Sequence, residues 1–138
     1  MKFLLDASSL MLLIKKADAK STVEFLQNSL ILNLTFYEVG NVIWKETTLQ
    51  KYLTVQETKK IAILAQTILS KIEQLTGDNE DFEKILEIAQ NENLTFYDAS
   101  YIHFAKQKTL ILLTEDQKLE TKAKKHTPTQ TITTLFPK

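Results

Sequence analysis

Cysteine and arginine are both absent from this chain of 138 residues. Without cysteine there is no disulfide framework, no thiolate zinc site and no thiol nucleophile, and nothing argues for an oxidising compartment. Without arginine, all 17 basic residues are lysines, so phosphate can be met by point charges but not by bidentate forks. No apolar run approaches the ~20 residues of a membrane span, so no membrane association is expected. Met1-Lys2-Phe3 leads into a short apolar segment with no small-residue cleavage site behind it. That opening reads as a first strand rather than a signal peptide, leaving the cytoplasm as the default compartment. No linker-like or low-complexity stretch interrupts the chain, and its length suits one domain over residues 1–138.

What is present is an ordinary globular composition, 43% hydrophobic and 25% charged, enough to bury a core without staples. Formal net charge is zero, but the charge is unevenly spread. Glu73 to Glu92 holds seven acids against Lys84 alone, whereas Phe104 to His126 holds six lysines against three acids. The basic region could contact phosphate through lysines such as Lys118 and Lys122, or could be a solvated helix face.

Lys2–Leu5 reads as a short buried strand, followed by a helix through Leu12 to Lys16 capped by Ser8 or Ser9. Ser21–Asn28 suggests a short helix, Leu30–Leu34 a second strand, and Phe36–Gln50 a helix containing Gly40, where a close packing contact is expected. Thr54–Leu75 has the clearest helical stripe, with Ile61, Leu64, Ala65, Ile68, Leu69, Ile72 and Leu75 in register. Thr54 and Glu57 form its capping box and Gly77 its stop. Helices over Asn79–Asn91 and Phe96–Lys106 follow, then a strand over Leu110–Leu113 and a lysine-rich helix over Asp116–Lys125. Thr129–Leu135 could be an edge strand, in a tail bracketed by Pro128 and Pro137. Short buried strands alternating with helices predict an α/β fold, a central parallel sheet of about four to five strands flanked by helices in three layers.

Asn33-Leu34-Thr35-Phe36-Tyr37-Glu38 recurs as Asn93-Leu94-Thr95-Phe96-Tyr97-Asp98, with only the final acid exchanged. Both copies read as helix openings that place an acid in the first turn. Asp6 and Asp116 stand just past the ends of apolar strands, where ligands bind in open parallel sheets. Four acids from four segments could therefore converge on one rim. Such a cluster cannot stay fully ionised without a cation. Its natural occupant is Mg²⁺ or Mn²⁺, which would activate water against a phosphodiester without any Ser, Cys or His nucleophile. Each acid has an alternative reading as a helix cap or a dipole partner. His103 lies off the Asp98 face and reads as a surface or packing residue, His126 as a dipole partner near a helix end. Trp44 and the four tyrosines could stack bases, but at helical spacing they read as core or interface.

The segments Phe3-Leu4-Leu5-Asp6-Ala7-Ser8, Thr35-Phe36-Tyr37-Glu38-Val39-Gly40-Asn41, Tyr97-Asp98-Ala99-Ser100-Tyr101 and Leu113-Thr114-Glu115-Asp116, in that order, resemble the PIN domain, and within it the VapC-type toxins of prokaryotic toxin–antitoxin pairs. The resemblance implies a helix-flanked parallel sheet, Mg²⁺- or Mn²⁺-dependent RNA cleavage, homodimers and inhibition by a cognate antitoxin. It makes Asp6, Glu38, Asp98 and Asp116 the acidic quartet, with Ser8, Asn41 and Thr114 in support. Family members often carry arginine after the fourth acid, where this chain has Gln117 and Lys118, and Glu115 competes with Asp116 for the fourth place. The leading reading is a metal-dependent endoribonuclease. A non-catalytic RNA- or protein-binding module on the same fold is the alternative. An aspartyl-phosphate receiver or phosphatase fits less well, because Asp6 has no adjacent acid.

Overall fold

The computed structural model describes residues 2–16 and 19–136, so Met1 and Pro137 lie outside the described residues. Strands β1 (Phe3–Leu5), β2 (Ser29–Leu32), β3 (Glu73–Leu75), β4 (Ile111–Leu113) and β5 (Thr129–Gln130) form a parallel sheet in the order β3-β2-β1-β4-β5. Helices α1 (Ala7–Lys16), α2 (Ala19–Leu26), α3 (Asn33–Trp44), α4 (Val55–Lys71), α5 (Asn79–Glu92), α6 (Phe96–Lys108), α7 (Gln117–Ala123) and α8 (Ile132–Leu135) cover it. This is the expected α/β architecture.

Alternation along the strands sorts the core into two layers, because successive side chains leave opposite faces of a sheet. Leu4, Leu30, Leu32 and Leu112 face α5, α6 and α7. Leu5, Ile31, Ile111 and Leu113 face α1, α3, α4 and α8. Both faces of the central strands are covered, so β1, β2 and β4 are largely apolar runs, while the edge strands β3 and β5 are not. The order runs from β1 outward through β2 to β3 on one side, and through β4 to β5 on the other. The reversal falls between β1 and β4, which is where open sheets leave a crevice beyond their carboxyl ends. Among the described residues no helix is long and apolar enough to cross a membrane.

Several expectations need correction. The Thr54–Leu75 helix ends at Lys71, and Glu73–Leu75 forms edge strand β3. The Thr54–Glu57 capping box is present, but Gly77 lies beyond β3 and stops no helix. A Cβ at Gly77 would meet the Phe104 ring at 3.3 Å, so close approach to α6 is its constraint. Gly40 makes no close contact at all: a Cβ there would meet nothing within 4 Å. The Phe36–Gln50 helix begins earlier, at Asn33, and changes at Trp44 into a wider π-type turn over Lys45–Leu49. Strand Leu30–Leu34 is correspondingly shorter, and Ser21–Asn28 is shifted to α2. Only Thr129–Gln130 of the tail is strand, at the sheet edge, and Ile132–Leu135 is helical.

Candidate functional site

Asp6 leaves β1 at the head of α1. It is 6% exposed and accepts three hydrogen bonds. Its Oδ1 takes the Ser8 hydroxyl at 2.7 Å and the Ser9 amide at 2.9 Å; its Oδ2 takes the Thr114 hydroxyl at 2.5 Å. The bond from Ser9 N makes Asp6 itself the cap of α1, the place expected for Ser8 or Ser9. Ser9 instead donates its hydroxyl to the carbonyls of Asp6 and Leu113 at 3.1 and 2.9 Å. Ser8 and Thr114 also accept, from the amides of Glu115 and Asp116 at 2.9 and 3.0 Å. The two expected supporting hydroxyls thus tie the end of β1 to the end of β4. Burial pushes the Asp6 carboxyl above its ordinary pKa, against the pull of those donors.

Asp116 caps α7 by accepting from Leu119 N at 3.1 Å, and it is exposed at the rim. Its neighbour Glu115 turns the other way and accepts the Thr133 amide and hydroxyl, each at 3.3 Å. Asp98 stands in the first turn of α6, half-buried, and the cap there is Thr95, whose hydroxyl accepts Asp98 N at 3.1 Å. The residues sharing the inward stripe with Asp98, namely Tyr101, Ile102 and Ala105, are buried as expected.

Glu38 is placed differently from its counterpart in the repeat. Because α3 starts at Asn33, Glu38 falls in its second turn and Thr35 is not its cap. Thr35 Oγ1 accepts Leu32 N at 3.2 Å and lies 2.6 Å from the Tyr101 hydroxyl, which donates to Glu38 Oε1 at 2.5 Å. With the single phenolic proton given to Glu38, the Thr35 hydroxyl must be the donor to Tyr101. The repeat therefore does two different jobs, a relay to one carboxylate and a simple cap beside the other. Tyr101 is a partner of Glu38 that sequence reasoning missed; its place on the Asp98 stripe marked it as buried and gave no sign of its bond to Glu38.

The structure brings all four acids into one electrostatic neighbourhood. Burial is the main cause raising the Glu38 carboxyl, and the charges of Asp6 and Asp98 add to it. Burial likewise leads at Asp98, followed by repulsion from Asp116 and Asp6, with Lys118 opposing. The exposed Lys118 therefore lies within electrostatic reach of Asp98. Lys122 instead sets its ammonium against the carbonyls of Glu92 and Asn93 at the end of α5. Asn41 is exposed one turn beyond Glu38. His103 is buried, 2.8 Å from Asp81, and packs α6 against α5. His126 pairs with the Glu92 carboxylate at 2.6 Å rather than with a helix end. Tyr101 is in the core, whereas Trp44, Tyr37, Tyr52 and Tyr97 are exposed.

Among the described residues no three of these carboxylates are drawn together closely enough to ligate one ion by themselves. The donor set is nonetheless all carboxylate and hydroxyl oxygen. It suits a hard cation that takes one or two carboxylates and keeps several waters. An added positive charge would also relieve the repulsion recorded at Glu38 and Asp98.

The family described as PIN domain matches residues 3–125. The chain is 32% identical over 123 residues to the protein named exonuclease VapC9 of Pyrobaculum aerophilum, covering 89% of this chain and 86% of the relative. Its fold is similar to the crystal structure of PAE2754 from Pyrobaculum aerophilum, with a TM-score of 0.82 and 30% identity over 98% of this chain and 92% of that one. FitAB bound to an IR36 DNA fragment gives a TM-score of 0.62 at 16% identity, with 94% of each chain covered, a likeness of fold alone.

Proposed function

The chain belongs to the PIN-domain family, and on that footing we propose that it is a metal-dependent endoribonuclease, hydrolysing RNA phosphodiester bonds as the toxin of a toxin–antitoxin pair. The observation that supports this reading is the charge coupling that links Glu38 to Asp6 and Asp98, and Asp98 to Asp116, with Asp6 and Asp116 just past the ends of β1 and β4 at the switch point and burial and repulsion raising Glu38 and Asp98. A bound Mg²⁺ or Mn²⁺ would polarise the phosphodiester, lower the pKa of a water and stabilise developing charge. The chain's own residues supply the rest. The four acids offer the oxygens. Ser8, Ser9 and Thr114 fix Asp6, and the Thr35–Tyr101 relay fixes Glu38. Lys118, within electrostatic reach of Asp98, would meet substrate phosphate, with Asn41 at hand a turn from Glu38. The name of the VapC9 relative supports the nuclease and toxin reading, and a small cognate antitoxin, a homodimer and a cytoplasmic setting go with it.

The test is cleavage of a panel of RNAs, linear and covalently closed, titrated with Mg²⁺ and Mn²⁺. Cutting of closed RNA establishes endonucleolytic action; cutting of linear RNA alone makes the chain an exonuclease. Asp116→Asn should cripple the reaction and Glu115→Gln leave it nearly intact, since Glu115 is turned toward Thr133. Lys118→Glu should weaken RNA binding and flatten its salt dependence, by roughly one phosphate contact. Cleavage that persists undiminished in chelator would overturn the metal-dependent reading.

A further inference from the structure

A cleft of about 370 Å³ lies between the first turns of α3, α5 and α6. That volume is at the small end of the range of ligand pockets, about 300–1,000 Å³. Its walls are largely aromatic and aliphatic. Phe82 from α5 and Tyr97 from α6 are 57% and 61% exposed, and Leu34 of α3 and Phe96 of α6 complete the apolar surface. Phe82 and Phe96 pack against each other with ring centroids 5.1 Å apart. Two large rings standing in water at the mouth of a concave surface mark a binding site more often than a packing remainder.

The cleft adjoins the acids on two elements. On α3, Leu34 lies one turn before Glu38 on the same face. On α6, Tyr97 immediately precedes Asp98 and lies one turn before Tyr101, the residue that holds Glu38. Whatever occupies the cleft therefore neighbours whatever sits on the acids. The mouth carries the exposed side chains of Asn33 and Asn79, whose amides both donate and accept and so match the mixed edge of a nucleobase. Asp78 also lines it, with Glu80 beside it, so phosphate is repelled there and a neutral planar group is favoured.

We propose that this cleft is a nucleobase subsite, in which Tyr97 and Phe82 stack on the base of a nucleotide flanking the phosphate held at the acids. The proposal rests on the nuclease reading for the identity of the neighbouring phosphate. The stacking site itself does not need the metal or the chemistry. Uncut bases of single-stranded RNA are recognised in this manner, by aromatic faces with hydrogen bonds to the base edge. The acidic start of α5 disfavours the phosphate backbone inside the cleft.

Nucleosides are the discriminating probe, because they carry the base and sugar without phosphate. Saturation-transfer NMR on the full chain with adenosine, guanosine, cytidine and uridine, with and without Mg²⁺, should show saturation at base protons for at least one of them. Tyr97→Ala and Phe82→Ala should each weaken that binding by about five-fold or more, and Tyr97→Phe should restore it, since the ring face is what stacks. On RNA, the two alanine variants should alter the base preference beside the cut. Failure of RNA cleavage with nucleoside binding intact would remove the nuclease reading and leave the subsite standing. Absence of nucleoside binding in both conditions overturns the subsite. So does an outcome in which the alanine variants change the sedimentation of the chain without changing nucleoside binding, which would make this face a contact between two copies.

Discussion

Asp98 separates two roles that coincide at its neighbours. Asp6 and Asp116 are each the cap of a helix as well as a rim carboxylate, so removing either confounds lost capping with lost charge. At α6 the cap is Thr95, and the Asp98 carboxylate is free of that duty. A carboxyl whose pKa is raised in the fold is favoured protonated, so its ionised form opposes folding once the pH rises past the raised pKa. Asp98→Asn removes that opposition. At neutral pH and without metal the variant should melt higher, by roughly 2 °C, despite losing a favourable first-turn charge. RNA cleavage by the same variant should collapse. A lower Tm together with full cleavage would make Asp98 a dipole partner only. Tyr101→Phe tests the other arm. It leaves Glu38 and Thr35 without the hydroxyl between them, at a cost of about 1–3 kcal/mol read from denaturant melts. The metal concentration needed for half-maximal cleavage should rise, an effect that simple loss of stability would not produce.

Elements whose apolar pattern matched their burial were legible in the sequence; those governed by partners were not. β1, β2 and β4 announced themselves because both sheet faces are covered. β3 was hidden because Glu73-Gln74-Leu75 is an exposed edge strand whose Leu75 continues the helical stripe of α4, and only pairing with β2 distinguishes it. α3 began early because its Thr35 accepts Leu32 N and pairs with Tyr101, a partner 66 residues away, instead of capping the helix itself. Asp6, Asp98 and Asp116 could be placed from strand ends and helix starts, whereas the distant residue that clamps Glu38 could not. The pairing of α5 with α6 also came from outside the pattern. His103, Gln107 and the Asp78 amide all donate to the buried Asp81, and chiefly His103 holds its carboxyl down at about 2. A depressed carboxyl lends stability above its unfolded pKa and loses it as pH falls through the folded one. Stability should therefore drop between about pH 4 and about pH 2 as Asp81 protonates. Acid titration followed by circular dichroism should show that drop, and Asp81→Asn should be less stable at neutral pH but flatter over the same interval.

At the scale of the molecule, one sheet serves two cores, and β1, β2 and β4 each feed both faces. We propose on that ground that the chain is a single folding unit, and one coincident transition in calorimetry and fluorescence is the expected behaviour. The same shared sheet holds the four acids in place, since Asp6 and Asp116 ride on β1 and β4, and Glu38 and Asp98 on helices packed to opposite faces. The central claim is that these acids jointly hold a divalent cation. Its most direct test is Mn²⁺ titration of chelator-stripped protein by electron paramagnetic resonance, for the wild type and for Asp6→Asn, Glu38→Gln, Asp98→Asn and Asp116→Asn, with RNA cleavage measured on the same samples. The account predicts saturable Mn²⁺ binding by the wild type, about ten-fold weaker or more in each variant, with cleavage lost in step. Mn²⁺ affinity indifferent to all four substitutions would contradict it.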